Sequence, residues 1–339
     1  MCLRCFRSMS TLILHFLLLA AIVAAAGTAL ARAADAIADA TGLGRLLVGS
    51  VLLAAATSLP ELTVDVAAVR AGHADLAAGD LFGSSLMNLL ILAGIDLCRR
   101  NGRKMLSREA ASHALSATLA IAVTGLAGGA ILTAGKLPAV TFCGIGGWSW
   151  AILVAYLLGA RMLFIDQRIS ARLAAEEMPE RRGMIWKPAA VFLAAAGVLV
   201  AAGPRLAATA AELADRSGLG GTFIGTTLVA VTTSLPELVA SLAAVRLGAV
   251  DLAIGNTFGS NAFNMILFVP LDAAFPGSLF EAVSPAHAVT AFAVIVATAI
   301  AVLGQLYHAE RRLPVVEPDA LLMILVIGGA FALVFRLSS

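Results

Sequence analysis

Long apolar stretches recur along almost the whole of the 339-residue chain, and short polar stretches separate them. An apolar stretch of about 20 residues is long enough for one α-helix to cross the hydrocarbon layer of a bilayer. The pattern predicts ten such segments. They lie at about 12–32, 43–69, 75–97, 110–132, 138–160, 187–203, 219–245, 251–273, 283–306 and 319–337. The sequence therefore predicts an all-α polytopic membrane protein with ten transmembrane helices.

The composition agrees with this class of protein. Hydrophobic residues make up 60% of the chain and charged residues 13%, whereas soluble domains are nearer half apolar and a quarter charged. The longest polar stretch, 161–186, divides the ten segments into two sets of five. We therefore predict a first repeat over 1–160, a cytoplasmic linker over 161–186 and a second repeat over 187–339.

An internal duplication relates the two sets. The hexapeptide TSLPEL occurs at Thr57–Leu62 and again at Thr233–Leu238, 233 − 57 = 176 residues later. In the same ungapped register, 57–96 and 233–272 share 20 identical residues in 40 positions. The N-terminus has the pattern of a cleaved signal peptide. The register, however, aligns Gly27 with Gly203, which favours a first segment that is retained as half of a matched pair.

Five membrane crossings are an odd number, so the second copy must enter the membrane from the opposite side. Inverted repeats with broken helices near the bilayer centre are a common architecture of secondary transporters. With both termini outside, the inner loops carry 16 of the 23 lysine and arginine residues, as the positive-inside rule requires.

The duplicated motif contains a glutamate in an apolar segment. A charged side chain at the bilayer centre costs at least ~2.5 kcal/mol, so Glu61 and Glu237 are expected to face a partner or a wet cavity. The proline before each glutamate lacks an N–H group, which leaves the carbonyl oxygens of Ala56 and Thr232 without their helical donor. Hydroxyl groups precede each glutamate by about one helical turn. They belong to Thr57, Ser58, Thr233 and Ser234.

A second polar motif follows in each half, GDLFGSSLMN at Gly79–Asn88 and GNTFGSNAFN at Gly255–Asn264. Ser84 and Asn88 are four residues apart and share a helix face, and so do Ser260 and Asn264. Four helices thus bring oxygen atoms towards one point. Hard cations such as Ca²⁺ take six to eight oxygen ligands, so the motifs predict a cation site.

Other interpretations of these motifs remain open. Serine and asparagine side chains often form only interhelical hydrogen bonds, and the proline could be only a kink. A passive cation channel lined by acidic residues is a second possibility, and an intramembrane enzyme is a third. The chain has no H-E-x-x-H zinc motif, no histidine pair at metal-ligand spacing and no basic, aromatic patch for nucleic acid. We therefore predict no enzymatic activity, no cofactor and no nucleic-acid partner, with membrane lipid and the transported cations as the partners.

At these motifs the chain resembles the sodium/calcium exchanger family, and the similarity covers essentially the whole sequence. The resemblance implies an antiporter of compact prokaryotic type in the cell membrane, since the central loop is short. It implies that Glu61 and Glu237 are the central carboxylate ligands. It also implies flanking oxygen ligands from Thr57, Ser58, Ser84, Thr233, Ser234 and Ser260, with Asn88 and Asn264 completing the site.

The chain departs from the family pattern at several positions. Asn264 stands where family members often have aspartate, and Asp80 and Ser85 replace asparagines. Asp65 lies one turn beyond Glu61, and its counterpart in the second half is Ser241. Our hypothesis is that Asp65 or Asp80 supplies a titratable or cation-pairing carboxylate. The alternative is that Asp65 bonds a neighbouring helix or a cavity water and Asp80 caps its helix.

These residues suggest a mechanism of electrostatic competition. Two ionised glutamates carry a charge of −2, which one Ca²⁺ or a set of monovalent ions neutralises. Because bare carboxylates would cross the barrier with unpaired charge, only loaded states are expected to change between inward and outward faces. The first and sixth segments look suited to slide against the rest. Sodium is the counter-ion that the resemblance implies, but buried carboxylates can carry protons instead, and potassium dependence is also open.

Overall fold

The computed structural model of the chain describes residues 9–98, 113–136, 140–175, 184–216, 231–306 and 318–338. These residues form α-helices joined by short turns, with one two-stranded hairpin. The helices are α1 (Met9–Thr41), α2 (Arg45–Thr57, π-helical over Val48–Leu53), α3 (Leu59–Arg70), α4 (Ala74–Cys98), α5 (Ala114–Thr133), α6 (Gly147–Ala175), α7 (Trp186–Arg216), α8 (Leu235–Arg246), α9 (Val250–Ala274), α10 (Leu279–Ala282), α11 (Ala286–Leu306) and α12 (Pro318–Ser338).

Seven of the described helices are long and apolar enough to cross a membrane, and the number rises to eight when the bent pair α2 and α3 counts as one span. The chain is therefore an all-α, multi-pass membrane protein. The remaining two predicted segments are less completely described. The first half of 219–245 lies outside the described residues, and α12 contains a shorter apolar helix, Pro318–Leu333.

The outer surface of the helix bundle is apolar. Leucine side chains of three outer helices are largely exposed, among them Leu14 on α1, Leu157 on α6 and Leu193 on α7. Exposed apolar surface on this scale is unfavourable in water and favourable in lipid. By contrast, α4 and α9 are the most buried of the membrane-length helices, and they carry the two predicted polar motifs into the centre of the bundle.

The predicted segment 43–69 is broken at Ser58, and α2 and α3 meet there at an angle of 42°. Ser58 has φ −87° and ψ 6°, and Pro60 follows within the first turn of α3. Proline has no N–H to continue the α2 hydrogen-bond ladder, and a helix readily begins at such a residue. Ser234 has nearly the same conformation, φ −79° and ψ 3°, before Pro236 in α8. The same local sequence therefore produces the same break in both halves.

A glycine turn then reverses the chain after each broken helix. Gly72 has φ +85° and Gly248 has φ +78°, a left-handed conformation in which a β-carbon would be strained. The amides just beyond each helix donate back to its last turn, as with His73 N to Ala68 O at 3.0 Å and Ala249 N to Ala244 O at 2.9 Å. These turns place α4 beside α3 and α9 beside α8.

The structure corrects several predicted helix ends. α1 extends to Thr41, well beyond 32, and α6 extends to Ala175, into the predicted linker 161–186. The predicted start at 138 is wrong, because α6 begins at Gly147 after an antiparallel hairpin of Thr141–Phe142 and Ile145–Gly146. The hairpin turn, Cys143 and Gly144, has φ +54° and +78°, which is typical of tight two-residue turns.

Two aspartate–histidine contacts connect helices from different halves of the chain. Asp251, in the first turn of α9, lies 3.0 Å from Nε2 of the buried His113 beside α5. Asp75, in the first turn of α4, lies 3.4 Å from Nε2 of His287 in α11 and accepts the Ser284 N–H at 2.6 Å. Asp75 and Asp251 are equivalent positions of the duplication. These histidines therefore contact acidic groups in the first turns of α4 and α9.

Candidate functional site

The two duplicated glutamates are buried and lie in the first turns of α3 and α8. Their relative exposures are 1% for Glu61 and 2% for Glu237. The carboxyl groups interact electrostatically with each other, so the fold brings together two acids that are 176 positions apart. The N-terminus of a helix carries a partial positive charge that favours a nearby anion, and both glutamates occupy this position.

Hydroxyl groups of the first copy of TSLPEL contact residues of the second half of the chain. Ser58 Oγ donates to Glu237 Oε1 at 3.5 Å. Thr57 Oγ1 lies 3.4 Å from Asn256 Oδ1 and 3.4 Å from Ser260 Oγ. The break between α2 and α3 is therefore in direct contact with both polar motifs of the other half.

The second copy of TSLPEL makes the corresponding contact with the first half. Thr233 Oγ1 donates to Asp80 Oδ1 at 3.2 Å. Thr233 is the counterpart of Thr57, and Asp80 is the counterpart of Asn256, each shifted by 176 residues. The two cross-half contacts are thus equivalent, although one acceptor is a carboxylate and the other an amide oxygen.

The central helices α4 and α9 are joined by an asparagine network. Asn88 Nδ2 donates to Asn261 Oδ1 at 3.0 Å, and Asn261 Nδ2 donates to the carbonyl oxygen of Ser85 at 3.1 Å. Ser85 Oγ donates to its own helix, at Leu81 O. The network fixes the Asn88 amide so that its oxygen, Oδ1, has no hydrogen-bond donor.

Many buried oxygen atoms around the glutamates lack a hydrogen-bond partner among the described residues. They are Glu61 Oε2, Glu237 Oε2, Ser84 Oγ, Ser234 Oγ, Asn88 Oδ1, Asn264 Oδ1, Asp65 Oδ1 and Oδ2, and Asp80 Oδ2. Each unsatisfied buried polar atom costs about 1–3 kcal/mol, so such a concentration is unfavourable unless a ligand is bound. Carboxylate, hydroxyl and amide oxygens are the ligands that hard cations prefer.

The arrangement favours a mixed set of ligands. In the described part of the chain, no group of three or more histidine, cysteine, aspartate or glutamate side chains is placed to hold a metal ion. A cation at the glutamates would therefore need neutral oxygens as well, and the threonine, serine and asparagine side chains can supply them.

All twelve residues predicted for the site are buried in the structure. They are Thr57, Ser58, Glu61, Asp65, Asp80, Ser84, Asn88, Thr233, Ser234, Glu237, Ser260 and Asn264. Direct contacts join Thr57 to Ser260, Ser58 to Glu237 and Thr233 to Asp80. Asp65 joins the group through electrostatic interaction with Glu61 and Asp80. Among the described residues, Glu61 and Glu237 share no direct hydrogen bond.

Sequence reasoning missed two asparagines that organise the site, Asn256 and Asn261. Asn256 accepts from Thr57 and donates to Ser241 Oγ at 3.3 Å, and Asn261 holds Asn88. Both lie in the second polar motif, where the repeat alignment pairs them with Asp80 and Ser85. That alignment was the available signal, because a residue opposite a candidate ligand belongs to the same neighbourhood.

A multi-pass helical fold around a buried cluster of oxygen atoms is typical of a membrane transport protein. The chain belongs to the sodium/calcium exchanger protein family, whose model matches residues 11–161 and 187–335. The proteins that it resembles include inner membrane protein YrbG of Escherichia coli, 29% identical over 251 residues, covering 70% of this chain and 72% of that protein. The putative antiporter CaxA of Alkalimonas amylolytica is 26% identical over 294 residues, with 86% and 89% covered.

Two further comparisons agree with this family. The sodium/calcium exchanger MaX1 of Methanosarcina acetivorans is 50% identical, but over only 62 residues, which is 18% of each chain. A solved structure of the sodium-calcium exchanger NCX_Mj has a TM-score of 0.70 at 17% identity, covering 96% of this chain and 99% of that one. At this identity the likeness establishes a shared fold.

Proposed function

We propose that the protein is a secondary-active antiporter that exchanges Ca²⁺ for Na⁺ across the bacterial inner membrane by alternating access. The observation that carries the proposal is the burial of Glu61 and Glu237 together, each at a helix break, with hydroxyl groups of one half in contact with acids of the other. Two ionised glutamates carry −2, which matches one Ca²⁺. The twelve predicted site residues form the cation-binding region.

The proposed architecture is ten transmembrane helices in two inverted five-helix repeats, 1–160 and 187–339, joined by the linker 161–186. Matched contacts support it. Gly27 on α1 lies against the carbonyl oxygen of Pro236, and its counterpart Gly203 on α7 lies against the Pro60 ring. An odd number of crossings in each half turns the second copy over, which makes the two faces of the site equivalent and suits alternating access.

Coupling follows from the cost of unpaired buried charge. If the site changes from one membrane face to the other without a bound cation, the negative charge of the two carboxylates stays unpaired in a low-dielectric interior. This is strongly unfavourable. The barrier is lower when Ca²⁺ or monovalent ions neutralise them. α1 and α7 pack along the prolines of the two breaks, so sliding of these helices would open one side of the site and close the other.

The decisive experiment is calcium flux in proteoliposomes with sodium, potassium and proton gradients imposed one at a time. We expect an outward-directed sodium gradient to drive calcium uptake, and Glu61→Gln and Glu237→Gln to abolish it. Uptake driven by the proton gradient instead, or only when potassium is present, would establish the corresponding alternative antiporter. Calcium movement without any returning ion would indicate a passive channel and contradict the proposal.

A further inference from the structure

Asp65 and Asp80 form a buried acidic pair next to the glutamates. Asp65 lies on α3, has no exposed surface, and neither of its carboxylate oxygens has a hydrogen-bond partner among the described residues. Asp80 lies on the adjacent helix α4, is 8% exposed, and interacts electrostatically with Asp65. Of its two oxygens, Oδ1 accepts from Thr233 and Oδ2 has no partner.

The other half of the molecule shows what these two positions ordinarily do. The counterparts of Asp65 and Asp80 are Ser241 and Asn256, which lie on α8 and α9. Asn256 Nδ2 donates to Ser241 Oγ at 3.3 Å, so the neutral pair satisfies itself. The surrounding frame is the same in both halves, since Thr57 contacts Asn256 just as Thr233 contacts Asp80.

When both carboxyl groups at these positions are ionised, they have no hydrogen to share, because an ionised carboxylate is only an acceptor. A basic side chain does not resolve this conflict in the described part of the chain, where every lysine and arginine of described burial is exposed. Buried charges are tolerated when they are paired with opposite charge or bound to a metal ion. In its ionised form the pair therefore calls for a small positive ion between the two side chains.

We propose that Asp65 and Asp80 form a second cation site, beside the glutamate pair, that binds one monovalent alkali cation. Three carboxylate oxygens are free to contact the ion: both of Asp65 and Oδ2 of Asp80. The remaining contacts of an alkali ion would come from water or from neighbouring oxygen atoms. Thr233 stabilises the Asp80 carboxylate by its hydrogen bond. The inference rests on the proposed function only for the route by which the ion reaches the pair.

The duplication supplies a matched variant for the test. Asp65→Ser combined with Asp80→Asn recreates in the first half the pair that already folds in the second half. Purified protein in detergent with saturating calcium, which occupies the glutamates, is heated in sodium, potassium or choline chloride at equal ionic strength. We expect sodium or potassium to raise the unfolding temperature of the wild type by at least about 2 °C over choline, and the double variant to lose this shift. Glu281→Gln, at an exposed glutamate of α10, is the control and is expected to keep the shift.

A binding measurement covers the case in which the double variant does not fold. Radioactive sodium or rubidium is equilibrated with wild-type protein and with Asp80→Asn in saturating calcium, which occupies the glutamates. The wild type is expected to retain one bound alkali ion per chain, and the variant to lose it. The second site would be overturned if the wild type retained no alkali ion, or if the double variant showed an equal rise in unfolding temperature. It would also be overturned if lowering the pH in choline chloride alone raised the unfolding temperature of the wild type as much as sodium or potassium does. If Glu237→Gln instead binds calcium normally, the proposed calcium site fails while the alkali result still stands.

Discussion

Gly203 of α7 lies directly against Pro60, the proline that begins the broken helix α3. A β-carbon added to Gly203 would lie 2.6 Å from the β-carbon of Pro60. The counterpart glycine, Gly27 of α1, is less tightly packed, since a β-carbon there would lie 3.4 Å from the carbonyl oxygen of Pro236. Equivalent positions of the duplication thus have unequal room, and the tighter contact is next to Glu61.

This inequality predicts different effects of one substitution at the two glycines. Gly203→Ala forces a methyl group against a rigid proline ring, so we expect a loss of about 1–3 kcal/mol of stability together with slower calcium transport. Gly27→Ala is the matched control and is expected to cost less. Apparent unfolding temperatures and initial transport rates measure both effects. If the two variants lost the same amount of stability and transport rate, both contacts would tolerate an added methyl group equally well, which would contradict the prediction.

The buried glutamates carry the strongest functional prediction. Glu61→Gln and Glu237→Gln keep the shape of the side chain and remove one negative charge from the cation region. We expect each to weaken calcium binding by more than about tenfold, which corresponds to 1.4 kcal/mol. Isothermal titration calorimetry on the purified protein provides the measurement. Glu281→Gln, at an exposed glutamate of α10, is the control, and a decrease there of similar size would contradict a specific role for the buried pair.

The asparagines of α9 separate a structural role from a ligand role. Asn261→Ala removes two buried hydrogen bonds and leaves Asn88 Nδ2 without its acceptor, so we expect a stability loss of about 1–3 kcal/mol. Asn264→Ala breaks no hydrogen bond of the described structure, so it should unfold near the wild-type temperature and bind calcium more weakly. If Asn264→Ala lost stability and Asn261→Ala lost only calcium affinity, Asn264 would be the structural residue and Asn261 the ligand.

Asp272, near the end of α9, anchors the hairpin to the core. Its Oδ2 accepts the Gly146 N–H and the Ser149 hydroxyl, each at 2.7 Å. Asp272→Ala leaves both donors without their acceptor, and we expect a loss of about 2–5 kcal/mol because two hydrogen bonds are removed together. Ser149→Ala removes one of the two bonds and should cost about half as much. Thermal unfolding of the two variants side by side tests whether the cost scales with the number of bonds.

Much of the fold could be predicted from the chain alone, because hydropathy is a property of short stretches. Segments such as 75–97 and 251–273 nearly coincide with α4 and α9. The predicted helix ends were wrong where a helix continues beyond its apolar stretch, as α1 does by continuing to Thr41. The predicted number of ten segments remains a prediction, since one of them lies partly outside the described residues.

The residues of the candidate site could be predicted from the sequence, but their hydrogen-bond partners could not. Repetition of TSLPEL and of the following polar motif singled out Glu61 and Glu237, because acids and prolines are costly in an apolar helix and chance does not place them twice in one register. Asn256 and Asn261 were missed as site residues, since an asparagine in a membrane helix has many possible partners. Their hydrogen bonds to Thr57 and Asn88 depend on which helices pack together.

What the sequence by itself determined is therefore local: the membrane helices, the break before each glutamate and the duplication that matches the two halves. Each follows from interactions between residues close together in the chain, such as the missing N–H of Pro60. Only the tertiary structure decided that Ser58 meets Glu237, that Gly203 is tighter than Gly27, and that Asp65 and Asp80 stand where Ser241 and Asn256 bond each other. These relationships join residues far apart in the chain, and they exist only because side chains of the two halves pack into one core.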